Sequence, residues 1–381
     1  MPKPIYLDYN ATTPHDPEVI KAMQPFFDEE FGNPSSSHTY GSKPKQAVAT
    51  AREQVAGSLN CQPQEIIFTS GGTESNNLAI IGCAEALRHR GQHIITSQIE
   101  HPAVIEVCRY LEIVGFVVTY LPVDEFGRVN TSDVEAAIRS ETILISIMHA
   151  NNEVGTIEPI EEIAALAKKH DILVHTDAAQ SVGKIPVDVS RLGVDLLSIA
   201  GHKIYAPKGI GTLYIRKGFV PAKLMHGAGQ EMGVRPGTEN VLEIVGLGKA
   251  CEIARRDLGK NVLHMQTMRD RLLEGIKKEC PQVKLNGHPD MRLPNTLSIS
   301  FFEMEANRIL EEIRPEVAAS AGAACHSGTV QVSDVLKAMH VPIEWAKGTL
   351  RLTTGRRTTE SDIDGAIQII TNAIKKLKKG H

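Results

Sequence analysis

Short apolar segments alternate with longer amphipathic ones over the first two thirds of the chain. The apolar segments are rich in β-branched residues, which is typical of strands buried on both faces of a sheet. They lie at 65–70, 93–97, 116–123, 142–150, 172–178, 194–200 and 211–217. Helical periodicity separates several of them, at 73–88, 102–114 and 159–170. This alternation predicts an α/β fold with a mostly parallel sheet and helices on both faces.

The pattern changes after about residue 240. Two long helices are predicted at 240–258 and 262–279, strands at 294–301 and 348–354, and a last helix at 359–378. Strands no longer alternate regularly with helices there, which indicates a second, smaller α+β domain. We therefore predict a large α/β domain at 15–250 and a small domain formed by 1–14 and 251–381.

Composition and charge exclude several classes of protein. No run of eighteen apolar residues occurs, so no membrane-spanning helix is expected. The balance of 41 basic and 45 acidic residues gives a net charge of −4, which favours neither a nucleic acid nor a membrane surface as partner. The six cysteines form no CxxC pair, and the first residues lack the apolar core of a signal peptide. We expect a reducing, cytoplasmic compartment.

The common cofactor and protease motifs are missing from the sequence. No GxxxxGK[ST] segment occurs, no GxGxxG follows a predicted strand, and neither GxSxG nor HExxH is present. No spacing of histidines or cysteines predicts a metal site. A nucleotide-binding loop, a nicotinamide enzyme and a zinc protease are therefore disfavoured.

Three polar clusters follow predicted strands, where parallel α/β sheets place their sites. Gly72 and Thr73 open a helix directly after a strand, which makes either an anion pocket or an ordinary turn. Asp177 ends an apolar strand and is either a buried carboxylate or a helix cap. Lys203 follows another strand and is either an amine able to form a Schiff base or a surface lysine.

A fourth cluster surrounds a single thiol. Seven small residues flank Cys325 and His326 between positions 320 and 328. Such a segment has few groups to pack, so we expect a mobile loop and an accessible cysteine, a candidate nucleophile. The alternative is a cysteine buried as a small apolar residue. Together, a phosphate pocket, an aspartate and a lysine without a nucleotide motif match pyridoxal phosphate, which needs a lysine imine and a carboxylate at its ring nitrogen.

The sequence resembles the class V, fold-type I pyridoxal-phosphate enzymes, and among them the NifS/IscS cysteine desulfurases and the selenocysteine lyases. The matching motifs run nearly end to end. They are YLDYNATTP from Tyr6, FGNPSSSH from Phe31, TSGGTESNNLAI from Thr69, EHPAV from Glu100, HANNEVGTI from His149, HTDAAQSVGK from His175, GHKIYAPKG from Gly201, RPGTEN from Arg235, AACHSG from Ala323 and LRLTTGR from Leu350.

This resemblance implies a seven-stranded-type sheet, a homodimer and a role for each matching residue. Lys203 would hold the cofactor and move the substrate Cα proton, His101 would stack on the ring and assist, and Cys325 would take the substrate sulfur as a persulfide. Arg351, with Asn33 and Asn152, would bind the substrate carboxylate. Cofactor contacts would come from Gly72, Thr73, His101, Asn152, Asp177, Gln180, His202, Lys203 and, from a partner subunit, Thr238.

The implied activity converts L-cysteine to L-alanine and passes sulfur to an acceptor or iron–sulfur scaffold protein. Two positions depart from the commonest pattern: Ala200 stands where many desulfurases have a phosphate-binding serine, and His326 follows the cysteine. The second departure resembles the selenocysteine lyases, so L-selenocysteine is the alternative substrate. A class V aminotransferase, which would give Cys325 no role, and a scaffold without activity are more distant alternatives.

Overall fold

The computed structural model describes residues 3–326 and 329–379, with side chains described outside 323–331 and 379. Helices in this part of the chain are α1 Pro17–Met23, α2 Thr39–Leu59, α3 Gly72–Leu87, α4 Pro102–Ile113, α5 Thr131–Ala137, α6 Ile160–Lys169, α7 Val189–Leu192, α8 Val241–Arg256, α9 Leu258–Glu279, α10 Ala306–Ile313, α11 Asp334–Ala338, α12 Ile343–Ala346 and α13 Glu360–Lys379. Among these residues, no helix is both long and apolar enough to cross a membrane.

The strands of the same residues form one large sheet and several small ones. They are β1 Ile5–Tyr6, β2 Ile66–Thr69, β3 His93–Ser97, β4 Val117–Leu121, β5 Thr142–Ser146, β6 Leu173–Asp177, β7 Leu196–Ala200, β8 Gly211–Ile215, β9 Val283–Asn286, β10 Thr296–Phe301, β11 Val317–Ala318, β12 Ser320–Ala321, β13 Ala323–His326, β14 Thr329–Val332 and β15 Thr349–Thr353.

The large sheet has seven strands in the order β2-β8-β7-β6-β5-β3-β4. The pairs among β3, β4, β5, β6 and β7 are parallel, whereas β8 runs antiparallel to both of its neighbours. Apart from the edge strand β4, the strands are mostly apolar and almost wholly buried because helices cover both faces. The predicted mostly parallel seven-stranded α/β sheet is thus confirmed.

A second, antiparallel sheet of order β12-β15-β10-β9 follows in the last third of the chain. Its core is a separate apolar cluster in which α9, α10 and α13 pack against β10 and β15. A short parallel pair, β1 with β11, brings the amino terminus to this second sheet. The division of the chain into domains at residue 250 stays a prediction.

Helix α2 is a feature that the hydrophobic pattern did not predict. Its buried side is made largely of small residues, and Pro44 lies inside it, so the amphipathic signal is weak. Small residues let α2 approach α8 closely: a Cβ on Gly248 would lie 2.6 Å from the Cα of Ala51. Tertiary packing, not periodicity, therefore stabilises this helix.

The segment around Cys325 was predicted to be a loop, and that prediction is wrong for its backbone. Strands β13 and β14 pair antiparallel, with Cys325 opposite Val330. The β-branched residues Thr329, Val330 and Val332 favour a strand and supply a partner for the small residues before them. The side chains of Cys325 and His326 lie outside the described residues.

Candidate active site

A cavity of about 330 Å³ lies at the carboxyl edge of the large sheet. The segments after β2, β3, β5, β6 and β7 all end there because parallel strands present their carboxyl ends on one side. Eight of the residues expected at the site line this cavity: Gly72, Thr73, His101, Asn152, Asp177, Gln180, His202 and Lys203. Arg351, the residue expected to bind the substrate carboxylate, lines it as well.

Lys203 lies at the base of the cavity, in a short 3-10 turn directly after β7. Its Nζ donates to two main-chain carbonyl oxygens, at 2.6 Å to Asn10 and 2.7 Å to Ala11. Burial lowers the pKa of this amine to about 8, and the positive charge of Arg351 adds to that effect. The amine is therefore partly unprotonated near neutral pH, as attack on a carbonyl carbon requires.

Asp177 ends β6 and is buried beside the same cavity. Its Oδ2 accepts a hydrogen bond of 2.7 Å from the Asn76 side chain, and its Oδ1 accepts one of 2.9 Å from the Ala179 amide. Both oxygens act as acceptors, as a carboxylate does. Such a buried negative charge can hold a protonated ring nitrogen.

His101 stands at the amino end of α4, and its ring lies on the cavity. Its Nδ1 accepts a hydrogen bond of 3.1 Å from the Ala103 amide, so the ring carries its proton on Nε2 when it is neutral. Desolvation lowers the pKa of this histidine, although the charge of Asp177 opposes the shift. His101 is therefore a neutral aromatic surface with one donor, suited to stacking on a planar ring.

The amino end of α3 and the turn before Lys203 form the third wall of the cavity. Helix α3 begins at Gly72, so its first amides have no acceptor within the helix. A Cβ on Gly72 would lie 3.3 Å from the Cβ of Ala200, whereas one on Gly71 would meet nothing within 4 Å. Ala200 brings no hydroxyl here, and His202 Nδ1 lies 3.2 Å from Thr12 Oγ1. Helix amides and one imidazole are suited to an anion such as phosphate.

Arg351 projects from β15 into the mouth of the cavity. Its Nη2 donates to Asp8 Oδ1 at 2.9 Å and to Ser320 Oγ at 3.2 Å, while its Nη1 donates to the Asn152 main-chain oxygen at 3.2 Å. Its Nε is buried without a partner among the described residues. The guanidinium is thus held in place, and Nη1, which uses one N–H for Asn152, has a second one that can donate to a carboxylate.

Among the expected site residues whose side chains are described, two do not line the cavity. Thr238 is exposed on the segment before α8, and the exposed Asn33 uses its Oδ1 to accept from the Ser35 amide. Within the part of the chain that the structure describes, the Lys203 amine bonds to Asn10 and Ala11 and to neither of these two residues. The described residues also contain no group of histidine, cysteine and acidic side chains able to hold a metal ion.

Several residues of the site were not identified from the sequence. Asn76 holds Asp177, Asp8 holds Arg351, and Asn10 offers its main-chain oxygen to Lys203. All three belong to motifs that carry the resemblance, and Asn10 and Asn76 are almost wholly buried. A buried amide needs partners, but the sequence alone could not name partners more than a hundred positions away.

The residues present fit pyridoxal phosphate. A primary amine of lowered pKa, a buried carboxylate, a neutral aromatic ring and a helix amino terminus face one cavity. The cofactor needs each of them, for its aldehyde, its ring nitrogen, its ring face and its phosphate. Asn76, whose Oδ1 is buried without a partner among the described residues, also lines this cavity.

Comparisons with known proteins agree with this fit. A family model described as aminotransferase class-V matches residues 5–365. A cysteine desulfurase IscS from Dictyoglomus turgidum is 50% identical over 379 residues, which cover 99% of this chain and 96% of that protein. A solved structure described as a NifS-like protein is 39% identical with a TM-score of 0.92, covering 98% of this chain and all of its own.

A further solved structure, described as SspA in complex with cysteine, is 38% identical with a TM-score of 0.81 and covers 93% of this chain and 99% of its own. None of these comparisons favours the selenocysteine lyase or the aminotransferase as the alternative. The resemblance noted in the sequence is confirmed: the chain belongs to the class V aminotransferase family, and within it to the IscS-type cysteine desulfurases, which are pyridoxal phosphate-dependent enzymes.

Proposed function

We propose that this protein converts L-cysteine to L-alanine and holds the released sulfur on Cys325 as a persulfide. The observation that carries the proposal is the convergence of Lys203, Asp177 and His101 on one cavity whose mouth holds Arg351. The 50% identity to an IscS cysteine desulfurase supports the same activity. A related structure described as a complex with cysteine supports L-cysteine as the substrate.

Each residue has a role that follows from its surroundings. Arg351 binds the substrate carboxylate with its remaining N–H groups, which places Cα towards the base of the cavity. Lys203, whose pKa is lowered to about 8, takes the Cα proton at Nζ and returns one to carbon. Asp177 would keep the cofactor's ring nitrogen protonated, and His101 would offer its ring for stacking. When bound, the cofactor supplies the electron sink for the carbanion.

The transfer of sulfur from the substrate to Cys325 needs no external oxidant. The Cβ–S bond breaks and an S–S bond forms between the substrate sulfur and Cys325 Sγ, which attacks as a thiolate. The electron pair of the Cβ–S bond stays on carbon, which is reduced and takes up a proton to become the methyl group of alanine. The substrate sulfur is oxidised to the persulfide level. The four-residue strand β13, paired antiparallel with β14, carries Cys325.

The remaining expectations concern partners and compartment. A sulfur-acceptor or iron–sulfur scaffold protein would remove the persulfide in the cytoplasm. A homodimer is supported by large apolar side chains left exposed in one chain, among them Phe27 at 62% and Phe31 at 71%. The exposed Thr238 would then contact the phosphate of the partner subunit, since it lies away from its own cavity.

Turnover of L-cysteine by the purified holoenzyme tests the proposal. Wild type should release alanine and, with a thiol reductant, an equal amount of sulfide. Lys203→Ala should lose about 10³-fold or more of both activities. Cys325→Ala should lose sulfide release to a similar extent but retain bound cofactor. Cys61→Ala, at a half-buried cysteine whose pKa burial raises to about 12, is the matched control and should leave both rates unchanged.

Two results of these measurements would contradict the proposal, one in part and one entirely. Cysteine turnover that survives in Cys325→Ala but not in Lys203→Ala would exclude the thiol as sulfur acceptor. A wild-type protein that takes up no pyridoxal phosphate and makes no alanine would exclude the function altogether.

A further inference from the structure

Lys184 is a buried amine to which the proposed reaction gives no role. The residue lies in the turn after β6 and is only 5% exposed. Its Nζ donates to Gln180 Oε1 at 2.6 Å and to Asn10 Oδ1 at 3.0 Å. Among the described residues it forms no ion pair with a carboxylate. Burying an amine whose partners are neutral acceptors is costly, so the presence of Lys184 here needs an explanation.

The contacts of Lys184 fix the orientation of two side-chain amides. Charged or neutral, a lysine amine has at least two N–H donors, and both contacts of this one are amide oxygens, so each amide turns its oxygen towards Nζ and its NH₂ group away. Gln180 Nε2 consequently donates to the Asn10 main-chain oxygen at 3.0 Å. Asn10 Nδ2 in turn donates to Thr296 Oγ1 at 2.9 Å and to the Asn152 main-chain oxygen at 3.1 Å.

The same Asn10 main-chain oxygen accepts the 2.6 Å hydrogen bond from Lys203. The Gln180 amide and the reactive amine therefore meet at one carbonyl, and both line the cavity. A reversed Gln180 amide would place Oε1 against that carbonyl, where two acceptors repel each other, and would leave Lys184 facing NH₂. The orientation of the amide beside Lys203 thus depends on an amine four positions further along the chain.

The surroundings of Lys184 favour the neutral form of its amine, which still has two N–H donors for the two amide oxygens. Burial lowers the pKa of Lys184 well below its usual value, and the positive charges of Lys203 and Arg351 act in the same direction. Two amines and a guanidinium thus share the site, while Asp8 and Asp177 act in the opposite sense on Lys203.

We propose that Lys184 is a positioning residue of the active site: it holds the amides of Gln180 and Asn10 so that an N–H of Gln180 and the main-chain oxygen of Asn10 stay beside the Lys203 amine. The proposal rests on the proposed function only in taking Lys203 as the cofactor lysine. Lys184 itself does not line the cofactor cavity.

The test is a double-mutant cycle between Lys184→Met and Gln180→Met. Methionine keeps much of the volume and length of each side chain but removes the polar contact. The readouts are the dissociation constant of pyridoxal phosphate from the reconstituted apoprotein, the absorption spectrum of the bound cofactor, and kcat and KM for L-cysteine. Lys169→Met, at an exposed lysine of α6, is the control and should match wild type in all of them.

Lys184→Met should weaken cofactor binding and lower kcat by about tenfold each, with KM little changed because Arg351 is untouched. The double mutant should lose much less than the two single losses combined, since Lys184 acts on the site through the Gln180 amide. A space-filling role would instead give additive losses. Additive losses, or a Lys184→Met protein with wild-type spectrum, affinity and kcat, would overturn the proposal.

A second measurement covers the case in which Lys184→Met does not fold. In a neutron crystal structure of the wild-type holoenzyme, which distinguishes the amide oxygen from the NH₂ group, Gln180 Oε1 within hydrogen-bond distance of Lys184 Nζ would support the proposal, and a reversed amide would overturn it. Failure of the proposed function is recognised separately, because wild type itself would then bind no cofactor and make no alanine.

Discussion

Replacement of Asp8 by asparagine should tighten the binding of L-cysteine. Asp8 Oδ1 lies 2.9 Å from Arg351 Nη2, and the two side chains are only 19% and 13% exposed. A substrate carboxylate bound to the same guanidinium would lie about 5.5 Å from Asp8, since one arginine would bridge two carboxylates. Their repulsion is about 3 kcal/mol at an effective dielectric constant of 20 and about 0.8 kcal/mol in water.

The mouth of the cavity is partly open, so a value between these limits applies. About 1.4 kcal/mol corresponds to a tenfold effect, and we expect KM for L-cysteine to fall by about that factor. Asparagine keeps an oxygen that can accept from Arg351 and Ser320, so the guanidinium should stay in place and kcat should change little.

Steady-state kinetics at low and high salt provide the assay. Asp16→Asn is a matched control, because Asp16 pairs with Arg356 at 3.5 Å at nearly the same exposure. The control should leave KM unchanged. A KM for Asp8→Asn that equals or exceeds that of wild type, with kcat preserved, would refute the electrostatic reasoning.

Three further predictions concern pH and packing. The rate at which apoprotein captures pyridoxal phosphate should rise as the pH passes through about 8, because the pKa of Lys203 is lowered to about 8 and only the free amine reacts; stopped-flow absorbance measures it. Burial raises the pKa of Glu100 to about 8, whereas in the unfolded chain this carboxyl loses its proton near its ordinary pKa of about 4.5. The free energy of unfolding should therefore fall as the pH rises from about 4.5 to about 8. Glu100→Gln should flatten that slope in urea titrations, whereas the exposed-site control Glu125→Gln should retain it. Gly248→Ala should cost about 1–3 kcal/mol of stability because its Cβ would meet the α2 backbone, while Gly259→Ala, in open space on α9, should be neutral or stabilising in the same titration.

The regular part of the fold was predictable because its signal is local. Strands β5 and β7 are mostly apolar and wholly buried, so their composition alone identified them. Helix α2 was not predicted because its small residues and Pro44 give it little hydrophobic periodicity. Packing against α8 stabilises it instead. The hairpin β13–β14 escaped because its pairing depends on residues beyond the small-residue run.

The residues of the candidate site likewise fall into those that the sequence identified and those that it did not. Lys203 and Asp177 were identified because a charged residue at the end of an apolar strand is unusual in any sequence. Asn10 and Asp8 were not, because their importance lies in contacts to residues 193 and 343 positions away. Chain separations of that size are visible only once the fold is known. Thr238 could not be placed by one chain alone, since its predicted target belongs to a second copy.

The contacts of Asn10 also determine when the active site can form during protein synthesis. Its amide donates to Thr353 Oγ1, 343 residues later, and its side chain bonds to Asn295 and Thr296. At a synthesis rate of about 5–20 residues per second, the amino terminus waits roughly 20–70 s for these partners to leave the ribosome. Until then the carbonyl that receives the Lys203 amine has no fixed position. Loading with the vitamin-derived coenzyme therefore belongs to the finished polypeptide, after translation ends.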